Sequence, residues 1–201
     1  EMGLGKTLQV IAVMGYIKER KENSHFLVVC PVSLLENWKR EISKFYPSFT
    51  TYLHYGVRRT GDYRELMKYD ITIMSYSSAI ADAGMLTMTN WDLLVIDEAQ
   101  NIKNPRAKRT KAIRQLNRDV PIAITGTPFE NHMTDIWSIV DFIMPGFLGN
   151  LNQFEMFFED DLDSAVRLEK LITPLILRRR VKDVAKDLPE RVDIPQPIIM
   201  T

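Results

Sequence analysis

The chain opens with the segment EMGLGKT, whose residue types could bind the phosphates of a nucleotide. Gly3 and Gly5, on either side of Leu4, let the backbone turn so that its N–H groups face phosphate oxygens. Lys6 would place a positive charge on the β- and γ-phosphates, and the Thr7 hydroxyl suits Mg²⁺. A helix that starts near Thr7 would direct its positive end at the same anion. Taken alone, the pattern also fits a glycine turn before an ordinary helix.

The phosphate-loop pattern is incomplete at its first position. G-x-x-x-x-G-K-[ST] has eight positions, and with Gly5 in the sixth place the first would precede Glu1 by one residue. We therefore expect this chain to be a fragment that begins inside the motif. Such a fragment would fold but would be inactive by itself.

A second pair of chemically capable residues follows the apolar run of LLVIDEAQ. Asp97 could hold Mg²⁺, and Glu98 could polarise an attacking water. An acidic turn in solvent would look the same in isolation. The order of the motifs is more informative, because about 90 residues of alternating strand and helix patterns separate Lys6 from Asp97. This arrangement favours a nucleotide hydrolase.

A third segment, IAITGTPFEN, ends another apolar run in small hydroxyl residues. Thr125, Gly126 and Thr127 could sense the state of the Asp97–Glu98 site and relay it. A turn that merely uses glycine and proline is an equally good interpretation of this segment alone.

The elements that must position these residues alternate along the first 145 positions. Apolar runs predict strands, which are buried on both faces when continuous; the runs are 26–31, 70–76, 91–99 and 120–127, with a weaker one at 50–55. Helical spacing predicts helices over 7–20, 33–46 and 105–117. In the second helix, Ser33 would be the N-cap and the apolar face would comprise Leu34, Leu35, Trp38, Ile42 and Phe45. This alternation predicts an α/β fold with a mainly parallel sheet.

Beyond Pro145 the strand signals stop. The segments GFLGNLNQFEMFFED and DLDSAVRLEKLITPLIL predict helices with aromatic or aliphatic faces, and a basic run with three prolines follows. We predict a helical insertion and then a linker.

Composition narrows the class of protein. The 201 residues contain 26 Lys plus Arg and 26 Asp plus Glu, so any nucleic-acid surface must come from local clustering of charge. Cys30 is the one cysteine, which fits a reducing compartment. No apolar run reaches about 18 residues, so we expect no transmembrane helix and no membrane partner.

Six segments in order resemble the first RecA-like lobe of Swi/Snf-type ATPases, within helicase superfamily two. They are EMGLGKT, VVCPVSLLENWKREI, ITIMSYSS, VIDEAQNIKNP, AITGTPFENHMTDIWSIVDFIMPGFLG and LILRRRVKDVAKDLPERV. The resemblance implies a RecA-like three-layer sandwich with a helical insertion. It also implies ATP- and Mg²⁺-dependent translocation on double-stranded DNA, usually without strand separation. Gln100, where Asp-Glu-Ala-His is frequent, together with NIKNP and MPGFLG, looks more like the bacterial branch.

The resemblance also implies roles for individual residues. Gly3, Leu4, Gly5, Lys6 and Thr7 match the phosphate-binding motif, with Thr7 and Asp97 on Mg²⁺ and with Glu98 and Lys6 as catalytic residues. Thr125, Gly126 and Thr127 match the coupling motif. Ser33, Asn37, Ser75 and Tyr76 fall in blocks that line the DNA path in relatives.

The same resemblance predicts the domain organisation and the setting. Lobe one would occupy 1–145, a helical protrusion and return segment 146–184, and a linker toward a second RecA-like lobe 185–201. Nucleoid or transcription proteins are further possible partners, in the cytoplasm of a bacterium or the nucleus of a eukaryote. Two alternatives stay open: the motor of another superfamily-two helicase or restriction enzyme, and a degenerate ATP-binding interaction domain.

Overall fold

Five short apolar segments form one parallel sheet in the computed structural model, which describes residues 4–126 and 132–179. The strands are β1 (Phe26–Cys30), β2 (Thr51–His54), β3 (Ile71–Ser75), β4 (Trp91–Asp97) and β5 (Arg118–Ile124). Their spatial order is β2-β3-β1-β4-β5, and every neighbouring pair is parallel. All five predicted strands, including the weak one, are confirmed.

Nine α-helices lie in the described ranges: α1 precedes the first strand, and the others connect or follow the strands. They are α1 (Lys6–Arg20), α2 (Leu35–Phe45), α3 (Tyr63–Leu66), α4 (Tyr76–Ala81), α5 (Ala83–Leu86), α6 (Lys108–Arg114), α7 (Met133–Ile143), α8 (Leu151–Phe157) and α9 (Leu162–Ile172). The predicted helices over 7–20, 33–46 and 105–117 correspond to α1, α2 and the shorter α6. Both helices predicted beyond Pro145 are present as α8 and α9.

The sheet has an apolar layer on each face, so the fold is a three-layer sandwich as predicted. On one face, alternate residues of β1 pack against α1 and α2, through side chains such as Met14 and Ile42. On the other face, Leu27 and Val29 pack against the layer that contains α4, α5 and α6. The central strands are therefore buried on both sides, which explains their continuous apolar runs.

The helices α1 and α2 approach each other closely at Gly15. A Cβ atom at this position would lie 2.7 Å from the ring of Tyr46, which follows α2 directly. Glycine thus allows the contact between the two helices that cover one face of the sheet.

The register of the strands aligns their carboxyl ends along one edge of the sheet. Cys30 pairs with Ser75, and Asp97 pairs with Ile124. Residues that directly follow β1, β3, β4 and β5 are therefore neighbours in space. In parallel sheets this edge is where ligands bind.

Two details of the second helix differ from the prediction. Ser33 is not the N-cap, because it lies inside a short 3₁₀ helix (Val32–Leu34) and α2 begins only at Leu35. Phe45 is 40% exposed and does not belong to the buried face. The 3₁₀ helix that follows Pro31 occupies the first residues of the predicted range, so the α-helix itself starts only at Leu35.

The helices α7, α8 and α9 enclose a smaller apolar cluster with Trp137, Phe154 and Leu168 at its centre. Helix α8 begins with a capping box, in which Asn150 accepts from the Gln153 N–H and the Gln153 side chain accepts in return. The Asp161 side chain caps α9 in the same way, by accepting from the Ser164 N–H. These caps define where each helix starts.

None of the helices in the described part of the chain is long and apolar enough to cross a membrane.

Candidate active site

The start of α1 carries the predicted phosphate-binding residues. Gly5 precedes the helix with φ 71°, a left-handed conformation that glycine adopts readily. Gly5 is the N-cap residue and makes no side-chain cap to the first turn, which contains Lys6 and Thr7. Backbone N–H groups of a helix start that lack a side-chain cap are suited to bind an anion. The Gln9 side chain donates to the Leu4 carbonyl, and the Gln9 backbone N–H donates to the Gly5 carbonyl. Gly3 lies outside the described residues.

Asp97 ends β4 and is held by three donors from three segments. Its Oδ2 accepts from Trp38 Nε1 at 2.9 Å, and its Oδ1 accepts from the Glu98 N–H at 2.8 Å. The Tyr76 hydroxyl donates to the Asp97 backbone oxygen at 2.7 Å. The side chain is almost fully buried, with 8% of the residue exposed. Its orientation is therefore set by neighbours before any ligand arrives.

The electrostatics of Asp97 connect the acid pair to the phosphate loop. Burial raises the pKa of Asp97, and the Glu98 carboxylate adds to the rise. Bonds from Trp38 and the Glu98 N–H oppose the rise, and so does the positive charge of Lys6. Lys6 is thus close enough to act on Asp97, although 91 positions separate them along the chain. The structure brings the two predicted motifs together.

Glu98 has a strained backbone. Its φ of 52° and ψ of 58° make it the one non-glycine residue with positive φ among the described residues. Such a conformation costs about 1–2 kcal/mol for a residue with a side chain. The Glu98 carbonyl accepts from both the N–H and the side-chain amide of Asn101, at 2.9 Å each. Strain of this kind is common at functional sites, where the surrounding structure maintains it.

A chain of hydrogen bonds joins Glu98 to the end of β5. Gln100 Nε2 donates to Glu98 Oε2 at 2.8 Å, and Thr125 Oγ1 donates to Gln100 Oε1 at 3.0 Å. Thr125 is thus connected to the acid pair through Gln100, and its coupling role stays a prediction. Gly126 follows directly and is half-buried, whereas Thr127 lies outside the described residues.

Asp97 and Thr7, the two predicted metal ligands, are residue types that suit a hard cation. A carboxylate and the Thr7 hydroxyl are oxygen ligands, which Mg²⁺ prefers. Each Asp97 carboxylate oxygen accepts one described hydrogen bond and keeps a further lone pair. No group of three or more His, Cys, Asp or Glu side chains gathers as a metal cage in the described part of the chain. Mg²⁺ in nucleotide sites is commonly held by one or two protein ligands together with substrate phosphates.

A cleft of about 390 Å³ lies beside this site. One wall is the start of α1 with Leu4 and Lys6, and another is β5 up to Thr125 and Gly126. The segment after α9 closes it with Arg178 and Arg179. The cleft is therefore next to the phosphate loop and carries additional positive side chains, which the motif alone did not place there.

The four residues predicted for the DNA path fall into two groups. Ser33 and Asn37 are exposed beside the carboxyl edge of the sheet. Ser75 and Tyr76 are buried, at 1% and 6% exposure, and Ser75 caps α4 by accepting from the Ser78 N–H. Tyr76 contacts the Asp97 backbone instead. Contact with DNA stays a prediction for this set, and for the buried pair it would have to be indirect.

Trp38 and Gln100 are site residues that the sequence reasoning did not assign. The sequence places Trp38 on the apolar face of the second helix, which its burial confirms, but does not predict its bond to Asp97. A buried indole N–H usually requires an acceptor, so the residue type did carry a signal. Only the tertiary structure identifies that acceptor.

A parallel α/β sandwich with a Gly-Lys-Thr helix start and an acid pair at a neighbouring strand end defines a RecA-like fold. The SNF2-related domain family matches residues 1–200, and the chain belongs to this family. The resemblance to Swi/Snf-type ATPases is thereby confirmed.

Relatives and a solved structure agree with this assignment. A putative ATP-dependent helicase/translocase of Bacillus subtilis (strain 168), YwqA, is 41% identical over 206 residues, 96% of this chain and 22% of that protein. The chromatin-remodeling ATPase INO80 of Gibberella zeae is 32% identical over 219 residues, 96% of this chain and 12% of that protein. The chain thus spans about a fifth or less of these relatives.

The SWI2/SNF2 ATPase core of Sulfolobus solfataricus, solved in complex with dsDNA, is similar in structure as well as in sequence. It superimposes with a TM-score of 0.84 at 41% identity, covering 94% of this chain and 41% of that one. The RecA-like class predicted for the fold is therefore confirmed.

Proposed function

We propose that this chain is the first RecA-like lobe of a motor that hydrolyses ATP and moves along double-stranded DNA. The relatives named as ATP-dependent helicase/translocase and as chromatin-remodeling ATPase support ATP use. The similar SWI2/SNF2 core bound to dsDNA supports the substrate. The intact protein would supply a second lobe across the carboxyl edge of the sheet.

Each part of the site has a role in this proposal. The first turn of α1, which has no side-chain cap from its N-cap Gly5, binds phosphate oxygens through its N–H groups, and Lys6 neutralises the β- and γ-phosphates. Glu98 accepts a proton from, or orients, the attacking water. Thr125 responds to Glu98 through Gln100 and would carry that state toward the rest of the motor. Catalysis consists of positioning and charge stabilisation.

The metal belongs to the same proposal. Thr7 and Asp97 would hold Mg²⁺, which when bound neutralises the charge that develops on the phosphates. Asp97 is prepared for this role because Trp38 and the Glu98 N–H already orient its two carboxylate oxygens.

The remaining expectations about the whole protein are also proposals. Residues 1–145 would form lobe one, 146–184 the protrusion, and 185–201 the linker to the second lobe. Ser33 and Asn37 would contact the DNA backbone. Nucleoid or transcription proteins would be partners, in a bacterial cytoplasm or a eukaryotic nucleus.

The observation that carries the proposal is the hydrogen-bonded chain from Glu98 through Gln100 to Thr125. A degenerate, merely ATP-binding domain has no need to hold a strained glutamate in contact with the next strand. This contact also favours a motor over a static nucleotide-binding module, because it links the hydrolysis residue to another element.

The test is Glu98→Gln in the full-length protein. The variant keeps the size of the side chain but removes its basicity, so ATP binding should persist while turnover falls by about 10²–10⁴-fold. Calorimetry with Mg²⁺–ATP and a duplex-stimulated ATPase assay measure the two quantities. Glu159→Gln, an exposed residue between α8 and α9, is the matched control. Near-normal turnover in Glu98→Gln would remove Glu98 from this role.

A further inference from the structure

Trp38 is the one residue of α2 whose side chain reaches the acid site within the described ranges. The indole is 1% exposed and packs in the layer between α1, α2 and the sheet. Its Nε1–H donates to Asp97 Oδ2 at 2.9 Å, across 59 positions of sequence. A hydrogen bond from a neutral donor to a carboxylate is stronger than one between neutral groups.

We propose that Trp38 is a positioning residue that sets the orientation of the Asp97 carboxylate for metal-dependent nucleotide binding. The proposal rests on the proposed function, since it deepens the role of Asp97. Trp38 acts through Asp97 and contacts neither the nucleotide nor the metal. Its ring is fixed by packing, so its donor is placed before the ligand arrives.

The geometry separates this role from ordinary core packing. A core position that needed only volume would be filled by an aromatic ring without a polar atom, whereas the indole N–H is aimed at a carboxylate. The Glu98 N–H holds the other oxygen at 2.8 Å, so the two bonds together determine the carboxylate plane. The Tyr76 hydroxyl holds the adjacent backbone at 2.7 Å. Among the described hydrogen bonds, loss of the Trp38 bond would leave the carboxylate held only by the Glu98 N–H, so its plane could turn and Oδ2 would be open to other partners.

Residues that orient a metal ligand have a characteristic energetic effect. Their substitution commonly lowers metal affinity or activity by about 10- to 100-fold while the ligands themselves remain. We therefore expect a shift in the Mg²⁺ requirement, rather than a uniform loss of nucleotide affinity.

The experiment uses Trp38→Phe in the full-length protein and a fluorescent ATP analogue. The Mg²⁺ concentration that gives half-maximal Mg²⁺-dependent binding should rise by about 10- to 100-fold. Binding of the analogue in the presence of a chelator should stay unchanged, because Lys6 and the start of α1 are untouched. A steady-state assay should show the same shift in the Mg²⁺ requirement.

Trp91→Phe is the matched control. Trp91 is also fully buried, and its indole N–H donates to the Leu86 carbonyl at 3.3 Å, away from Asp97. The control loses the same atoms from a comparable environment, so its Mg²⁺ midpoint should equal that of the unmodified protein. If both variants behave alike, Trp38 only packs the core and the proposal is overturned.

Replacement of Trp38 by benzothienylalanine keeps the experiment decisive if Trp38→Phe does not fold. This analogue has sulfur where tryptophan has N–H, so the shape remains and the donor is lost. An unchanged Mg²⁺ midpoint with this analogue would overturn the proposal, and a raised midpoint would support it. Failure of the proposed function is seen separately, as absence of duplex-stimulated ATPase in the unmodified protein, and the binding titration still decides the role of Trp38.

Discussion

Glu98 and its neighbours show how single residues prepare the site. The strained backbone of Glu98 turns its carboxylate toward Gln100, and the Asn101 side chain stabilises that conformation. Gln100 uses both ends of its amide, donating to Glu98 and accepting from Thr125. The orientation of the proposed base thus depends on a residue that makes no contact with the nucleotide in this proposal.

Gln100→Ala should separate the orientation of Glu98 from nucleotide binding. The variant loses both bonds, so the Glu98 carboxylate becomes free to rotate and turnover should fall by up to about 10²-fold, as expected for a misplaced catalytic group. Affinity for Mg²⁺–ATP should stay unchanged, since the start of α1 is intact. A turnover assay and calorimetry on the full-length protein measure the two effects.

Gln115→Ala serves as the control for that variant. Gln115 is exposed at the end of α6, and its substitution should affect neither quantity. Equal turnover in the Gln100 and Gln115 variants would contradict the positioning role of Gln100.

At the scale of elements, hydrogen bonds of Asp70 connect α1 to the segments that precede β2 and β3. Its Oδ1 accepts from Lys18 of α1 at 2.5 Å, and its Oδ2 accepts from the N–H and hydroxyl of Thr50, which precedes β2. Asp70 itself precedes β3 and donates its own N–H to Thr50 Oγ1 at 2.9 Å. These bonds lie at the amino edge of the sheet, opposite the site, and stabilise the position of the phosphate-loop helix.

The charge of Asp70 makes this junction sensitive to acid. Burial alone would raise the pKa of Asp70, but the bonds from Lys18 and Thr50 outweigh it and the pKa is lowered. A carboxylate with a lowered pKa in the folded state contributes stability above its unfolded pKa of about 3.9. That contribution is lost as the pH falls through the lower, folded value.

Asp70→Asn should therefore destabilise the lobe by about 1–3 kcal/mol at pH 7, since it removes charged hydrogen bonds. The difference in the free energy of unfolding between the variant and the unmodified protein should shrink as the pH falls below about 4. In the full-length protein, local stability can be measured through Met74, a buried residue of β3. Peroxide is added at increasing urea concentrations, and mass spectrometry determines the fraction of Met74 that is oxidised. Glu19→Gln, exposed on α1, is the control. A difference that persists undiminished in acid would refute the assignment.

At the scale of the whole molecule, the balance of charge limits how DNA can be bound. Acidic and basic side chains are equal in number, at 26 each, so the chain offers no general positive field. The exposed candidates for the DNA path, Ser33 and Asn37, are residue types that commonly contact phosphate and sugar. No motif for reading base edges accompanies them.

We expect the full-length protein to bind duplex DNA with little preference for sequence. Its affinity should fall steeply with salt, because backbone contacts release condensed counterions. Asn37→Ala should weaken binding to all duplexes by a similar factor, whereas Glu159→Ala, at an exposed position between α8 and α9, should leave binding unchanged. Fluorescence anisotropy at several salt concentrations measures both properties. A preference of several kcal/mol for one duplex at fixed salt would count against this interpretation.

Much of the architecture, and the residue types of the candidate site, could be recognised in local sequence. Apolar runs predicted all five strands, the weakest at 50–55, and Gly-Lys-Thr and Asp-Glu lie at the ends of the two elements that carry the candidate site. These features can be recognised in the sequence because strand burial, helix periodicity and turn chemistry act over a few neighbouring residues.

Tertiary packing alone decided how those residues are held. The bond between Trp38 and Asp97 spans 59 positions, Tyr76 points inward to the backbone of Asp97, and Gln100 joins Glu98 to Thr125. Such contacts depend on which strands are neighbours and how far each helix is rotated about its axis. The start of α2 at Leu35, after a 3₁₀ turn that includes Ser33, is a further detail that the local pattern did not predict. Periodicity identifies a buried face, but the partner of a buried polar group is chosen only when separate elements pack against one another.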